Sequence, residues 1–328
     1  MTLRIRQTVL LQLFFVACAA LASPLATGQT FPSKPFKIIV STSAGGGNDF
    51  IARTVAKKLE DSLGWTVVVE NKPGASGIIA ADYVAKSAPD GYTILFNGPL
   101  QIQVSALYKK LPYDPIKDFT PLTDIIRTPL WFAVNPNKVA AKTLKEFTEL
   151  ARDKTRKDSY GSPGEGSSHH MYAFALNEAA KLNMVHVPYK GGAPATVALV
   201  GGEISSIFID FVSLRPFVAD GRVRLLAVTG PKRSPLTPDL PTLSELGFPG
   251  FESLGWGGLF LPTKTPSDVV ARWYAEVHKA LQQADVVEKF KTMGFEIGGS
   301  APQQFASTVA ADQVNWVKLI KRAGVALD

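Results

Sequence analysis

Hydrophobic and polar residues alternate along the chain in short blocks whose spacing predicts strands and helices in turn. Residues 36–41, FKIIVS, are an apolar run rich in β-branched side chains, which predicts a buried strand. In the segment that follows, apolar residues recur at every fourth position and mark one face of a helix: Ile51, Val55, Leu59 and Leu63. We expect Asn48 or Asp49 to cap this helix and Gly64 to end it.

The same alternation runs through the rest of the chain and predicts an α/β fold with mostly parallel sheets. Further strands are predicted at residues 66–70, 93–96, 158–160, 185–187, 204–209 and 222–228, and further helices at 78–87, 102–109, 144–153, 193–199, 268–282 and 303–321, with one more that follows His169 and runs through Leu176. A long extended run at 120–134 and the segment 255–261, GWGGLFL, predict two crossings between two lobes. We therefore expect lobe 1 to comprise residues 29–129 and 254–328, and lobe 2, residues 130–253, to be inserted into it.

Each predicted lobe contains a glycine-rich turn between an early strand and the following helix. The first turn contains the run Ser43-Ala44-Gly45-Gly46, and the second is the segment 161–169, GSPGEGSSH. Glycines leave backbone N–H groups uncovered, and the positive end of a helix dipole adds to their attraction for an anion. Open α/β sheets bind ligands at the carboxyl ends of their strands, so the two turns together could hold one anion in a cleft that closes by a hinge.

The motifs of several other functions are absent from the sequence. The first turn lacks the Lys-Ser/Thr of a phosphate-binding P-loop, and Phe50 stands where a dinucleotide fold needs its third glycine. The histidines are not spaced for a shared metal, and there is no G-x-S-x-G nucleophile elbow. We expect no catalytic residues, no metal site and no cofactor.

The N-terminus has the pattern of a secretory signal peptide. Arg4 and Arg6 precede an apolar run at residues 9–22, and small residues follow it. We expect residues 1–28 to be a signal peptide cleaved after Ala22 or Gly28, with the later site favoured. The only cysteine, Cys18, lies within it, so the mature chain needs no disulfides outside the cytoplasm.

The charge balance gives no indication of a nucleic-acid partner. The full chain has a formal net charge of +7, and removal of Arg4 and Arg6 with the signal lowers it to +5, since 7 − 2 = 5. The basic residues are spread along the sequence, as they are on a solvated surface that weakly attracts anionic solutes. We expect a small-molecule ligand and no nucleic acid.

A set of motifs in the same order resembles one family along nearly the whole mature chain. They include FPSKPFKIIVSTSAGGGND, ENKPGASGIIAADYVAKSAPDGYTIL, LYKKLPYDPIKDFTPLT, YGSPGEGSSHHMYAFAL and VHVPYKGGAPATVALVGGEIS. The sequence is similar to the Bug-type extracytoplasmic solute receptors of tripartite tricarboxylate transporters. The resemblance implies a two-lobed type II periplasmic binding protein that holds a small carboxylate and delivers it to membrane permease subunits, and we expect a monomer.

The resemblance also implies which residues bind the carboxylate, mainly through backbone N–H groups, hydroxyls and ordered waters. In the first lobe they are Ser43, Ala44, Gly45, Gly46 and Asp49, with Asn97 and Gly98 at the end of the third strand. In the second lobe they are Ser162, Gly166, Ser167 and Ser168.

The sequence departs from the family pattern at two positions. Ala44 stands where the family commonly has proline, and the family's Phe-Asp-Asn aligns with Phe208-Ile209-Asp210, which moves the acid by one position. Asp210 either caps the helix near Ser213 or pairs with Arg215, or it faces the distal cleft and favours an amino acid, hydroxy acid or monocarboxylate. The function could instead be that of an exported enzyme acting on a small carboxylate, or of a receptor that presents its ligand to a membrane sensor.

Overall fold

The structure is a computed structural model that describes residues 31–327. Its strands are β1 (Phe36–Val40), β2 (Val67–Asn71), β3 (Thr93–Asn97), β4 (Phe119–Thr128), β5 (Trp131–Val134), β6 (Ser159–Ser162), β7 (Val185–Pro188), β8 (Ser206–Ile209), β9 (Arg224–Val228), β10 (Gly255–Pro262) and β11 (Glu296–Ile297). Its α-helices are α1 (Gly47–Leu63), α2 (Ile78–Ala85), α3 (Leu100–Leu107), α4 (Leu144–Ala151), α5 (Ser168–Ala179), α6 (Gly192–Gly201), α7 (Phe211–Ala219), α8 (Ser267–Leu281), α9 (Ala284–Thr292) and α10 (Pro302–Ala323).

The strands form two mixed sheets. In the first sheet the order is β11-β4-β10-β3-β1-β2, with β1 parallel to both β2 and β3 and with β10 antiparallel to β3 and β4. In the second sheet the order is β7-β6-β8-β5-β9, with β6 parallel to β7 and β8 and with β5 antiparallel to β8 and β9. The chain thus leaves the first sheet after β4 and returns to it at β10.

The extended run predicted at residues 120–134 is two strands that belong to different sheets. β4 ends at Thr128 and β5 begins at Trp131, so only Pro129 and Leu130 join them. Pro129 has no N–H to donate to a strand ladder, which is consistent with the end of β4 at this point. The Leu130 N–H instead donates to the Thr229 hydroxyl at 2.8 Å, next to the end of β9. This short link places the edge of the first sheet where β4 ends against the edge of the second sheet where β5 begins.

Large aromatic side chains fill the core around each sheet. Phe36 of β1 packs on Trp65 and on Trp273 of α8, with ring centroids 4.8 and 4.6 Å apart. In the second sheet, Phe132 of β5 packs on Phe208 of β8 at 4.9 Å. Burial of each such ring removes about 150–250 Å² from water and is a main stabilising contribution to the fold.

The sequence analysis did not predict α9 or β11. The buried residues of α9, Val286 and Phe290, are four apart, but the helix is short and follows α8 after only two residues. β11 is two residues long and exists by pairing with β4 at the sheet edge. The predicted end of α1 is confirmed, because Gly64 has a left-handed φ of 68° and its N–H donates to the Glu60 carbonyl.

Candidate functional site

The first glycine turn joins β1 to α1 and exposes its backbone. Ser43, Ala44, Gly45 and Gly46 are all exposed. Gly45 has a φ of +80°, a conformation that favours glycine, and Gly46 is the N-cap of α1. Because the first N–H groups of a helix have no partner within it, this exposed end can accept an anion.

Asp49 does not cap α1, contrary to the prediction, and neither does Asn48. The helix already begins at Gly47, ahead of both residues, and Asp49 lies buried in its first turn. Its carboxylate accepts hydrogen bonds from the Gly45 N–H at 2.9 Å and from Arg53 Nε at 2.9 Å. The bond from Arg53 holds the pKa of Asp49 below its ordinary value. Asp49 therefore fixes the shape of the turn, and the Gly45 N–H is already used.

The end of β3 is tied to the end of β1 by Asn97. The Ser41 hydroxyl donates to Asn97 Oδ1 at 2.7 Å, and Asn97 Nδ2 donates to Gln101 Oε1 at 3.0 Å. The Gly98 N–H donates to the same Oδ1 at 2.9 Å. The Asn97 side chain is buried, so the predicted site residues Asn97 and Gly98 form an internal brace beside the first turn.

Ser162, the last residue of β6, lies near the start of the second turn, and its side chain faces the interior. Ser162 is fully buried, and its Oγ lies 2.8 Å from His186 Nε2 and donates to the Gly164 carbonyl at 2.9 Å. Both contacts are internal to the second sheet and its turn. Ser162 therefore supports the turn from behind.

The end of the second turn and the start of α5 are held by Gly166 and Ser167. Gly166 has a φ of +74°, and its N–H donates to His170 Nδ1 at 3.1 Å. Ser167 is the N-cap: its hydroxyl accepts from the His170 N–H at 3.3 Å and donates to the Gly164 carbonyl at 2.7 Å. These bonds leave the N–H groups of Ser168 and His169, in the first turn of α5, without a partner in the helix.

Two stacked histidines lie behind this turn. The rings of His170 and His186 are 3.6 Å apart and inclined by 11°, and Tyr160 stacks on His186 at 5.1 Å. Burial lowers the pKa of His170 to about 3 and that of His186 to about 4. Both imidazoles are neutral at neutral pH, so His170 Nδ1 is free to accept from Gly166.

Asp210 follows β8, which ends at the same sheet edge as β6 because the two strands are parallel. It is the N-cap of α7, and its Oδ1 accepts from the Ser213 N–H at 3.0 Å and from the Ser213 hydroxyl at 2.9 Å. The predicted cap at Ser213 is thereby confirmed. Arg215 instead donates to the Thr292 carbonyl. Burial lowers the pKa of His169 to about 4, and the negative charge of Asp210 acts in the opposite direction.

The two lobes meet beside the second turn. Gln103 Nε2, on α3, donates to Ser168 Oγ at 2.9 Å, and a Cβ on Gly166 would collide with the Leu107 side chain. Gln103 is a candidate site residue that the sequence analysis missed. The only signal in the sequence was a polar residue within a mostly apolar helix, and the structure shows that this residue is fully buried.

Two other kinds of site are absent from the described part of the chain. Within residues 31–327, no group of three or more His, Cys, Asp or Glu side chains is arranged to hold a metal ion. In the same range, no helix combines the length and the apolar character needed to cross a membrane.

Two lobes, each with its own α/β sheet and with a glycine-rich turn at the carboxyl end of an early strand, are the architecture of a type II periplasmic binding protein. The family model described as "Tripartite tricarboxylate transporter family receptor" matches residues 51–325. The chain belongs to this family, whose members are periplasmic solute receptors.

Individual relatives cover nearly the full chain. Protein BugT of Bordetella pertussis is 32% identical over 95% of this chain and 96% of its own. The structure of R. palustris Rpa4515 with adipate has a TM-score of 0.80 and 32% identity over 90% of this chain and 100% of that one. The periplasmic binding protein BugD has a TM-score of 0.77 and 32% identity over the same shares, 90% and 100%. The predicted fold and family are confirmed.

Proposed function

We propose that this receptor captures one small carboxylate between its two glycine turns. The exposed backbone of Ser43, Ala44 and Gly46 would supply N–H donors from the first lobe. The hydroxyl and N–H of Ser168 and the N–H of His169 would supply donors from the second. Asp49, Asn97, Ser162 and the other bonded residues of the site would hold both turns in shape.

The observation that carries this proposal is the direct contact between the lobes at the second turn. Gln103 of the first lobe bonds to Ser168, which is the first residue of α5. The two-residue link at Pro129 and Leu130 brings the carboxyl edges of the two sheets together. A carboxylate placed there would accept several hydrogen bonds from N–H and O–H donors, each contributing on the order of 1.5–3 kcal/mol, which is sufficient for micromolar affinity.

In this proposal lobe 1 comprises residues 29–129 and 254–328, and lobe 2 comprises residues 130–253. Closure about the crossings at 129–130 and 229–254 would enclose the ligand. Residues 1–28, of which the structure describes none, are proposed to be a signal peptide for export to the periplasm. Mass spectrometry of the exported protein should find an N-terminus at Ser23 or Gln29.

The protein is proposed to act as a monomer that delivers the carboxylate to the permease subunits of a tripartite transporter. The protein binds its ligand in this proposal and does not transform it. Adipate in the Rpa4515 structure supports a carboxylate as the ligand class. The identity of the neighbouring genes, permease or membrane sensor, would distinguish delivery to a transporter from presentation of the ligand to a sensor.

The test is to identify what the purified protein binds. Mass spectrometry of a co-purifying small molecule should find a carboxylate, and a panel of mono-, di- and tricarboxylates should raise the melting temperature in a concentration-dependent way. Each ligand is then incubated with the protein and recovered. Recovery of a chemically altered compound would support an enzyme, and no stabilisation by any carboxylate would contradict the proposal.

A further inference from the structure

Several buried polar atoms near the two turns have no protein partner. Within the described residues these atoms are Thr42 Oγ1 in the first turn, Gln103 Oε1 on α3 and His169 Nδ1 in the first turn of α5. Gln103 is the most enclosed of the three residues, with none of its surface exposed. A buried acceptor without a donor loses the hydrogen bonds that it would make in water, so a ligand group that supplies the donor would be strongly favoured.

The hydrogen bond between Gln103 and Ser168 determines which polar atoms of the two side chains donate and which accept. A hydroxyl has one O–H to donate, and Ser168 Oγ uses a lone pair to accept from Gln103 Nε2. The Ser168 O–H therefore remains free to donate. The Gln103 amide, with Nε2 occupied, has its carbonyl free to accept, so a donor and an acceptor lie side by side where the lobes meet.

The charges around this pair favour the same kind of ligand. The Asp210 carboxylate acts on His169, the residue after Ser168, and burial keeps the His169 imidazole neutral at pH 7 by lowering its pKa to about 4. A negative carboxylate and a neutral ring add no positive charge for a second anionic group. They do favour a group that donates a hydrogen bond.

We propose that Gln103 is a specificity-determining residue, which selects a carboxylate that carries a hydrogen-bond donor on the neighbouring carbon. The ligand carboxylate would accept from Ser168 and the backbone of the turns, while a 2-hydroxyl or 2-ammonium group donates to Gln103 Oε1. This inference rests on the proposed function and names the substrate class of the same site.

The experiment compares ligands that differ only at the neighbouring carbon. Propionate, lactate and alanine form one series, and succinate, malate and aspartate form another. Isothermal titration calorimetry with the wild-type protein should find the 2-hydroxy or the 2-amino acid at least tenfold tighter than the unsubstituted acid in a series that binds. The better of the two substituents distinguishes a hydroxyl from an ammonium.

The matched variant is Gln103→Met, which keeps a similar length and removes both polar atoms. It should abolish the tenfold preference while the unsubstituted acid still binds. The control is Ser105→Ala on the same helix, since the Ser105 hydroxyl donates to the Ile102 carbonyl and takes no part in the contact with Ser168. This control should keep the wild-type preference.

The outcomes separate this inference from the proposed function. No binding of any acid in either series or in the wider carboxylate panel would contradict the proposed function itself. Binding with equal affinity for substituted and unsubstituted acids would leave the proposed function standing and overturn the role of Gln103, because the amide would then present its NH₂ to the ligand. If Gln103→Met does not fold, the wild-type comparison alone still decides whether the donor is recognised.

Discussion

The residues of the two turns divide into those that shape the site and those whose donors remain free. Asp49 and Ser162 are buried and use their side chains within the protein. Gly46 is exposed at the start of α1, and Ser168 retains a free O–H. Residue type alone does not distinguish these roles, because a serine or an aspartate can serve in either one. The hydrogen-bond partners of each side chain determine which role the residue has.

Gly46→Val should abolish carboxylate binding and leave the fold intact. Gly46 has extended angles of −82° and 172°, which valine adopts, and a Cβ there lies 3.4 Å from the Ser43 carbonyl, an ordinary contact. The added side chain would cover the N–H donors of the turn. Calorimetry measures the loss, and circular dichroism checks the fold. Gly201→Val, at an exposed glycine with open space around it, is the matched control. Wild-type affinity in Gly46→Val would show that the first turn does not bind the ligand.

Asp210→Asn should keep the helix cap and change the choice of ligand. Asparagine caps helices as well as aspartate does, so the free energy of unfolding should change by no more than about 0.5 kcal/mol. Removal of the negative charge should raise the affinity for dicarboxylates relative to monocarboxylates by about tenfold, which corresponds to about 1.4 kcal/mol. Titration of both ligand classes measures this ratio. Ser213→Ala, which loses the hydroxyl bonds to Asp210 and keeps the charge, should retain the wild-type ratio. An unchanged ratio in Asp210→Asn would limit Asp210 to its role as a cap.

Among the helices and strands, each turn depends on the element behind it. The first turn is braced by β3 through Asn97, and the second by β7 through His186. The stack of His170 and His186 joins α5 to β7, and the Gly166 N–H bonds to the same His170 ring. The shape of the second turn therefore depends on a neutral histidine pair.

Acid should destabilise the protein through this pair. The pKa values in the folded protein, about 3 for His170 and about 4 for His186, lie below the ordinary value near 6.5. Below pH 6.5 the unfolded chain therefore binds more protons than the folded one, and stability is lost as the pH falls from about 6.5 to 4. Each histidine should contribute a slope of up to about 1.4 kcal/mol per pH unit, and His169 should add to it.

Denaturant unfolding at several pH values measures this slope. In the double variant His170→Gln and His186→Gln, the slope between pH 6.5 and 4 should become shallower. Unfolding at pH 8, where the imidazoles are neutral in both states, reports the loss of packing separately. An equal slope in the variant and the wild type would contradict the role of the pair.

In the molecule as a whole, the short link at Pro129 and Leu130 determines where the two turns lie. The chain leaves the carboxyl edge of the first sheet with β4 and enters the second sheet at the edge where β6 and β8 end. Because only two residues join the two strands, the two sheet edges must lie close to each other. The contacts of Gln103 and Leu107 with the second turn follow from this arrangement.

Ligand binding should therefore make the molecule more compact. A carboxylate that bonds to both turns favours the closed arrangement of the lobes. Small-angle X-ray scattering should show a smaller radius of gyration at saturating ligand, and at 100 times Kd the ligand should stabilise the fold by about 2.7 kcal/mol. Gly46→Val should show neither effect. Stabilisation without contraction would indicate that the ligand is held by one lobe alone.

Most of the strands and helices, the two glycine turns and the family could be predicted from the sequence. The strands, helices and turns are local features, since a strand such as β1 and a helix such as α1 are specified by their own apolar periods, and the turn by its glycines. Three other features required the three-dimensional structure: which turn residues face inward, where the extended run breaks into β4 and β5, and the bond between Gln103 and Ser168. These features depend on contacts between residues far apart in the chain, which no local pattern records; Gln103 and Ser168 are separated by 65 positions and are joined only because the sheets meet at their edges.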